Sequence, residues 1–144
     1  MTSSPETEQN GLVDALARAG FATMAVLTRL SAEHDLSLTQ LRVLAILRDR
    51  RVRMSTLADH LGLERSTLSG LVDRAERRNL LQRAPNRTDG RAVDVLLTAE
   101  GARLARRIGA EVQRSLAPMT ASLTPAEQRR LRTLLERLLD PQPD

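Results

Sequence analysis

Three arginines surround a possible turn in the segment RAPNRTDGRAVDVLLT, residues 83–98. They lie on or beside Asp89-Gly90, and β-like runs flank that pair, a pattern typical of a hairpin. Arginine carries five N–H donors in a fixed fork, which suits bidentate contact with phosphate. The segment predicts either an ordinary surface hairpin or one that presses against a polyanion, and the residues before it must decide.

Support for catalysis or metal binding is thin. The chain has no cysteine, which excludes thiol catalysis, disulfides and thiolate metal sites. His34 and His60 are the only histidines and so the only candidates for acid–base chemistry at physiological pH, and Glu33-His34-Asp35 is the one cluster that resembles a metal site. Adjacent side chains diverge in direction, so these three make poor shared ligands. We therefore expect no enzyme, cofactor or metal site; a metal-responsive regulator using Glu33, His34 or His60 is kept as an alternative.

Positive charge is concentrated in the middle of the chain. Residues 40–97 hold twelve arginines against seven acids, whereas residues 1–39 carry a net charge of −3 and residues 98–144 one of +2. With one Phe and no Trp or Tyr, a stacking platform for single-stranded nucleic acid is improbable. No apolar run approaches the roughly 18 residues of a membrane helix, and the polar amino end is no signal peptide. We expect a cytoplasmic protein with a polyanion-binding core.

An apolar stripe predicts a long first helix. Residues 1–9 are expected to form a disordered leader, and apolar side chains then recur every three or four residues to about residue 33. Thr39 is the candidate N-cap of a second helix. The stripe consists of Val13, Leu16, Gly20, Met24, Leu27 and Leu30.

Two further helices are predicted after the hairpin. Thr98 is the candidate N-cap of the first, and TPAEQ opens the second with a capping box of Thr124 and Glu127. Residues 141–144 form a tail. The last helix has a strong leucine face, which together with the first helix exceeds what so small a domain can bury alone, so we expect a homodimer. That face comprises Leu131, Leu134, Leu135, Leu138 and Leu139.

The segment MSTLADHLGLERSTLSGLVDR predicts a helix-turn-helix directly before the hairpin. Ala58 is small enough for a close helix crossing, Gly62 can adopt the positive φ of the turn, and Asn79 suits the left-handed position after the second helix. Burying the leucines of the second helix turns small polar residues and arginines outward, which suits a DNA groove better than a generic solvated surface. The outward face consists of Arg65, Ser66, Thr67, Ser69, Gly70, Asp73 and Arg74.

A helix-turn-helix followed by a basic hairpin is a winged helix-turn-helix, and this chain resembles the MarR family of bacterial transcription regulators. The resemblance covers about residues 10–140 and rests on LTQLRVLAIL, STLADHLGL, STLSGLVDRAERRNLLQR, TDGR and LLTAEG. It implies a mainly α fold with a small β-hairpin wing. The DNA-binding domain would span residues 37–97, and dimerisation helices would occupy residues 10–36 and 98–140.

The resemblance also implies that a homodimer binds a pseudo-palindromic double-stranded DNA site. Arg91 would be the wing arginine in the minor groove, braced by Asp89. The family usually has a second arginine where this chain has Gly90, so one wing contact is missing unless Arg87 substitutes for it. The full predicted DNA-binding set is Ser55, Arg65, Ser66, Thr67, Ser69, Gly70, Arg74, Arg87, Asp89 and Arg91.

A small-molecule effector is a further implication of the resemblance. In similar regulators a small, often anionic aromatic compound enters a cleft between the dimer helices and the winged domain and releases DNA. Phe21, Met24, His34 and Arg42 are the candidates here; alternatively, the first two are core residues and the last two surface residues. The lack of cysteine excludes the peroxide-sensing subtype.

The leading hypothesis is therefore a sequence-specific DNA-binding regulator, expected to be a repressor. The alternative from another class is a winged-helix protein-interaction module. Such a module would present apolar or aromatic anchors, whereas the predicted recognition face offers Ser, Thr, Gly and Arg.

Overall fold

The computed structural model describes residues 4–140, and the chain divides into two compact units, Met1–Val112 and Gln113–Asp144. The boundary lies within the fifth helix. In chain order the elements are α1 (Pro5–Glu33), α2 (Leu38–Ile46), β1 (Val52–Arg53), α3 (Met54–Leu61), α4 (Arg65–Arg77), β2 (Leu81–Pro85), β3 (Val93–Leu97), α5 (Ala99–Thr120) and α6 (Pro125–Leu139).

The core of the first unit joins the helix-turn-helix to the sheet. Leu57 of α3, Leu68 and Val72 of α4 and Val95 of β3 are fully buried. Each such side chain stabilises the fold by about 1.5–3 kcal/mol relative to exposure. The predicted burial of one face of α4 is confirmed, and the opposite face of that helix is turned to solvent.

Two predicted helix starts are wrong. α1 begins at Pro5, within the expected leader, because Pro suits the first helical position and Glu6 and Glu8 complement the helix dipole. α2 is capped by Ser37 rather than Thr39, with a reciprocal capping box to Gln40 at 3.1 and 2.8 Å. Residues 1–3 of the expected leader and the expected tail, 141–144, lie outside the described residues.

Four local predictions are confirmed. Gly62 and Asn79 both have left-handed backbone, with φ of 64° and 57°. The Thr98 hydroxyl accepts a hydrogen bond from Gly101 N–H at 3.0 Å at the start of α5. In the second unit Thr124 and Glu127 form the predicted capping box of α6.

The sheet has one more strand than the hairpin predicts. Its order is β1-β3-β2 with both pairings antiparallel, and β1 contributes only Val52 and Arg53, too short a strand to give an alternating pattern. The link between β2 and β3 is a seven-residue loop, residues 86–92, hereafter the wing loop. It is not a tight two-residue turn, and Gly90 does not have positive φ.

Both units expose apolar helical surface. In the first unit Leu12, Val13, Leu16, Phe21 and Met24 of α1 are exposed, and in the second all five predicted leucines of α6 are exposed. By length and composition α1, with a mean hydropathy of 1.3 over its most apolar stretch, could also cross a membrane. The expectation that no stretch is apolar enough is therefore wrong by this criterion, but core helices of soluble proteins and signal sequences also meet it, so one such helix is weak evidence of a membrane span.

Candidate nucleic-acid interface

The solvent-facing side of α4 carries most of the residues predicted to contact DNA. Arg65, Ser66, Thr67 and Arg74 are exposed, whereas Ser69 and Gly70 are half-buried. The Arg74 guanidinium folds over Gly70, 3.5 Å from where a Cβ would stand there. An added Cβ at this position would make ordinary van der Waals contact with Arg74.

Arg83 of β2 connects the wing to this helix. Its guanidinium forms ion pairs with Asp73 at 2.8 Å and with Glu76 at 2.7 Å, and it donates hydrogen bonds to the carbonyl and hydroxyl oxygens of Ser69 at 3.3 and 3.2 Å. Arg83 is one of the three arginines of the predicted hairpin, for which the sequence indicated contact with a polyanion but no partner on α4. Its partners Glu76 and Ser69 are 7 and 14 residues away in sequence, a separation that no local motif encodes.

This contact also adjusts the charge of the interface. Burial lowers the pKa of Arg83, but the hydrogen bonds and charges of Asp73 and Glu76 outweigh it and raise the pKa above its ordinary value. The guanidinium therefore stays charged and offsets two carboxylates that would otherwise repel a phosphate backbone. It also donates to the hydroxyl oxygen of Ser69, which takes up one of the two acceptor positions of that oxygen and leaves its O–H free to donate.

The wing loop exposes Arg87 and Arg91. The resemblance implied that Asp89 braces Arg91, and the structure places this contact on the backbone: the Arg91 N–H donates to Asp89 Oδ1 at 3.1 Å. Within residues 4–140 no ion pair joins the Arg91 guanidinium to Asp89. Asp89 thus shapes the loop and leaves the guanidinium available to a ligand.

Ser55 lies at the start of α3, outside the α4 face. It is half-buried, and no side chain caps this helix. Its contribution to DNA binding stays a prediction.

The four candidate effector residues do not share one site within the first unit. Phe21 is 77% exposed and lies 13 residues before His34, which corresponds to about 20 Å along a helix axis. His34 Nε2 is instead 2.8 Å from Glu111 Oε2 of α5. Arg42 donates to the carbonyl oxygen of His60 at 3.2 Å. The alternative that Phe21 and Met24 are core residues is wrong for a single protomer, because both are exposed.

The side chains of Glu33, His34 and Asp35 do not come together as the metal site that their sequence suggested. Across the described part of the chain, no group of three or more His, Asp or Glu side chains is arranged to hold a metal ion. His34 is turned toward Glu111 rather than toward a joint site with Glu33 and Asp35.

Comparison with known proteins links this geometry to one family. The MarR family model matches residues 34–92, which span α2 to the wing loop. PecS, a helix-turn-helix transcriptional regulator of Dickeya dadantii, is 28% identical over 131 residues, covering 88% of this chain and 79% of PecS.

Two solved structures align over almost the entire chain. NadR in complex with 4-hydroxyphenylacetate has a TM-score of 0.77 and 26% identity, covering 99% of both chains. A mutant of MarR from E. coli in complex with operator DNA has a TM-score of 0.70 and 25% identity, covering 96% of this chain and all of the other. The mainly helical winged-helix architecture is therefore shared with DNA-binding regulators.

Proposed function

We propose that this chain, whose residues 34–92 match the MarR family model, is a winged helix-turn-helix transcription regulator that binds double-stranded operator DNA as a homodimer and represses transcription. It acts in the cytoplasm, where its DNA target lies. α4 enters the major groove and the wing loop approaches the adjacent minor groove. Bound there, the protein blocks access to a promoter.

One observation carries the proposal: a small, polar, arginine-bearing helix face and an arginine-bearing loop are held together by Arg83. Ser66 and Thr67 permit close approach to base edges, and Arg65 and Arg74 suit phosphates or guanine. Arg87 and Arg91 extend the cationic surface beyond α4. DNA readout needs both elements at a defined spacing, and the ion pairs of Arg83 supply that spacing.

The exposed apolar helices support the homodimer. Long apolar side chains on α1 and the leucine face of α6 are exposed in the protomer, and burying them against a second copy removes apolar surface from water. A two-fold dimer then presents two copies of α4 to half-sites about 10 base pairs apart.

The interaction-module alternative is disfavoured by the same face. A protein-binding surface needs apolar or aromatic anchors, and the exposed residues of α4 are polar or charged. A lack of binding to every duplex at low salt would favour that alternative.

We also propose that a small anionic aromatic ligand releases the DNA. NadR, with which this chain shares 26% identity, was solved with 4-hydroxyphenylacetate. Because about 20 Å separates Phe21 from His34 along the chain, a site using both side chains draws them from two copies. Arg42 supplies the cation for the ligand carboxylate.

Fluorescence anisotropy tests the DNA-binding proposal. The protein is titrated against the intergenic DNA upstream of its own gene and against a shuffled fragment, at low and near-physiological salt. We expect preference for the native fragment that survives the higher salt, with a steep salt dependence from counterion release. Equal binding to both fragments that disappears with salt contradicts sequence-specific binding to that DNA.

Arg91→Ala is the matching variant, and Arg130→Ala on α6 removes the same charge from outside the predicted interface. Arg91→Ala is expected to lose about 5- to 150-fold in affinity, which corresponds to roughly 1–3 kcal/mol for a specific arginine contact. Arg130→Ala is expected to bind like the wild type. Equal affinities of the two variants show that the wing does not contact DNA.

A further inference from the structure

The wing loop is attached to the sheet through one buried carboxylate. Asp94 of β3 is only 4% exposed, and both of its oxygens are engaged. Oδ2 accepts a hydrogen bond from Arg51 Nε at 2.9 Å, and Oδ1 accepts one from Asn86 Nδ2 at 2.9 Å. We call Arg51, Asn86 and Asp94 the wing network.

The Asn86 side chain connects Asp94 to the following residues of the loop by hydrogen bonds. Its side-chain oxygen accepts from the N–H and hydroxyl groups of Thr88 at 3.1 and 2.9 Å and from the N–H of Asp89 at 3.0 Å. Its amide nitrogen is the donor to Asp94, which fixes the direction in which the oxygen points. Asp89 in turn accepts from the Arg91 N–H, so the hydrogen bonds continue to the base of the exposed arginine.

Arg51 holds the chain at the start of the loop. Besides pairing with Asp94, its guanidinium donates to the carbonyl oxygen of Pro85, the last residue of β2, at 2.9 Å. Asn86 N–H and Ala92 carbonyl oxygen close the loop at 2.9 Å. The start of the loop is thus tied to Arg51, which directly precedes β1, and to Asp94 of β3.

We propose that Asp94 is a positioning residue that holds the wing loop in its DNA-binding conformation before DNA is present. The inference rests on the proposed function and deepens it, since it names the group that orients Arg87 and Arg91 without touching DNA. Preorganisation favours binding because the entropy of ordering the loop is lost on folding rather than on association. The sequence pattern alone indicated no role for Asp94.

Because Asp94 is an acidic residue, its replacement tests the proposal by the direction in which DNA affinity changes. Removing an acid from a DNA-binding protein strengthens its attraction to phosphate when only net charge matters. Asp94→Asn also breaks the wing network, because an amide group cannot accept at both positions. Positioning therefore predicts weaker binding where net charge alone predicts tighter binding.

Asp49→Asn is the matched control. It removes the same charge from a side chain that is 87% exposed and outside the wing network. A second variant, Asn86→Asp combined with Asp94→Asn, exchanges donor and acceptor and so restores the hydrogen bond between the two positions. Circular dichroism and thermal unfolding establish that each variant is folded.

Hydrogen exchange of the DNA-free protein is the first readout. We expect the amides of Thr88 and Asp89 to exchange at least about tenfold faster in Asp94→Asn, as loss of a charge-assisted hydrogen bond implies. Asp49→Asn is expected to match the wild type, and the exchanged pair to recover most of the protection. Unchanged exchange in Asp94→Asn overturns the proposal.

DNA affinity for the upstream fragment is the second readout. We expect about tenfold weaker binding for Asp94→Asn and equal or tighter binding for Asp49→Asn. Tighter binding by both variants overturns the positioning role. If the wild type itself does not prefer the upstream fragment, sequence-specific binding to that DNA is contradicted, and the exchange measurement alone decides the role of Asp94.

Discussion

Replacing either of two glycines in α5 with alanine is expected to have opposite effects on the stability of the fold. Gly101 lies in the first turn, where an added Cβ would stand 2.0 Å from the carbonyl oxygen of Leu80. Gly109 lies two turns later, where a Cβ would meet only the end of the Arg48 side chain at 3.2 Å. Alanine at position 101 therefore collides with backbone, whereas alanine at position 109 displaces a flexible side chain.

The cost of Gly101→Ala follows from these distances. Real Cβ contacts are no shorter than 3.0 Å, so α5 must withdraw from Leu80 by about 1 Å. That movement lengthens the hydrogen bond from Thr98 N–H to the Leu80 carbonyl oxygen, now 3.1 Å, beyond a useful distance. Overpacking costs about 1–3 kcal/mol and the lost hydrogen bond about 1 kcal/mol, against a gain of up to about 1 kcal/mol from replacing a helical glycine.

We expect Gly101→Ala to lower the free energy of unfolding by about 1–4 kcal/mol and Gly109→Ala to leave it unchanged or raise it by up to about 1 kcal/mol. For a chain of this size the loss corresponds to roughly 3–13 °C in Tm. Thermal and urea unfolding followed by circular dichroism, at one fixed protomer concentration, measure both variants. Equal stability of the two variants refutes the reasoning that Gly101 is required by the approach of Leu80.

Three further predictions concern the wing and the dimer. Gly90→Arg should be accommodated, because no atom lies within 4 Å of an added Cβ at residue 90 and the φ of Gly90 is not positive. Fluorescence anisotropy should show tighter DNA binding, with a salt dependence of the affinity steeper by about 0.9. An unchanged slope would mean that residue 90 does not reach phosphate. Leu135→Glu on α6 should shift the protein toward monomer in sedimentation, and an unaltered dimer would exclude that leucine face from the interface. The pKa of Asp94 is lowered below its ordinary value of 3.8, chiefly by the hydrogen bond from Asn86 against the opposing effect of burial, and further by Arg51. Its stabilising contribution should therefore be complete above about pH 4 and lost as the pH falls through the lowered pKa, so unfolding titrations of the wild type and Asp94→Asn should converge only in strong acid.

Prediction from sequence was most accurate where a single local contact defines an element. Gly62 and Asn79 were identified because few residues adopt left-handed backbone, and Thr124 because its capping box spans four residues. The start of α2 was misplaced because Ser37 and Thr39 are both good caps, and only Ser37 has Gln40 three residues later. Strand β1 was missed because two residues show no periodicity.

Residue type and the expected exposure of one helix face identified the interface residues in the sequence. The contacts that hold these residues in place could not be identified in that way. Arg65, Ser66 and Thr67 are exposed because the leucines of α4 must be buried, which the helical period already requires. The sequence groups Arg83 with the other two arginines of the hairpin and does not distinguish it as the one that pairs with α4. Its role depends on Asp73 and Glu76, which approach it only after β2 packs against α4.

The amino-acid sequence by itself determined most of the helices and their caps, the winged helix-turn-helix and the resemblance to the MarR family, since these depend on residue type and on spacing within a few positions. Tertiary structure alone decided which arginines are free to bind and which hold the fold. Arg51 is 43 residues from Asp94, and the two meet only because β1 pairs with β3. The type of a charged side chain indicates its polarity but not its partner, because ion pairs depend on distance in space, and that distance is set by the packing of the core beneath them.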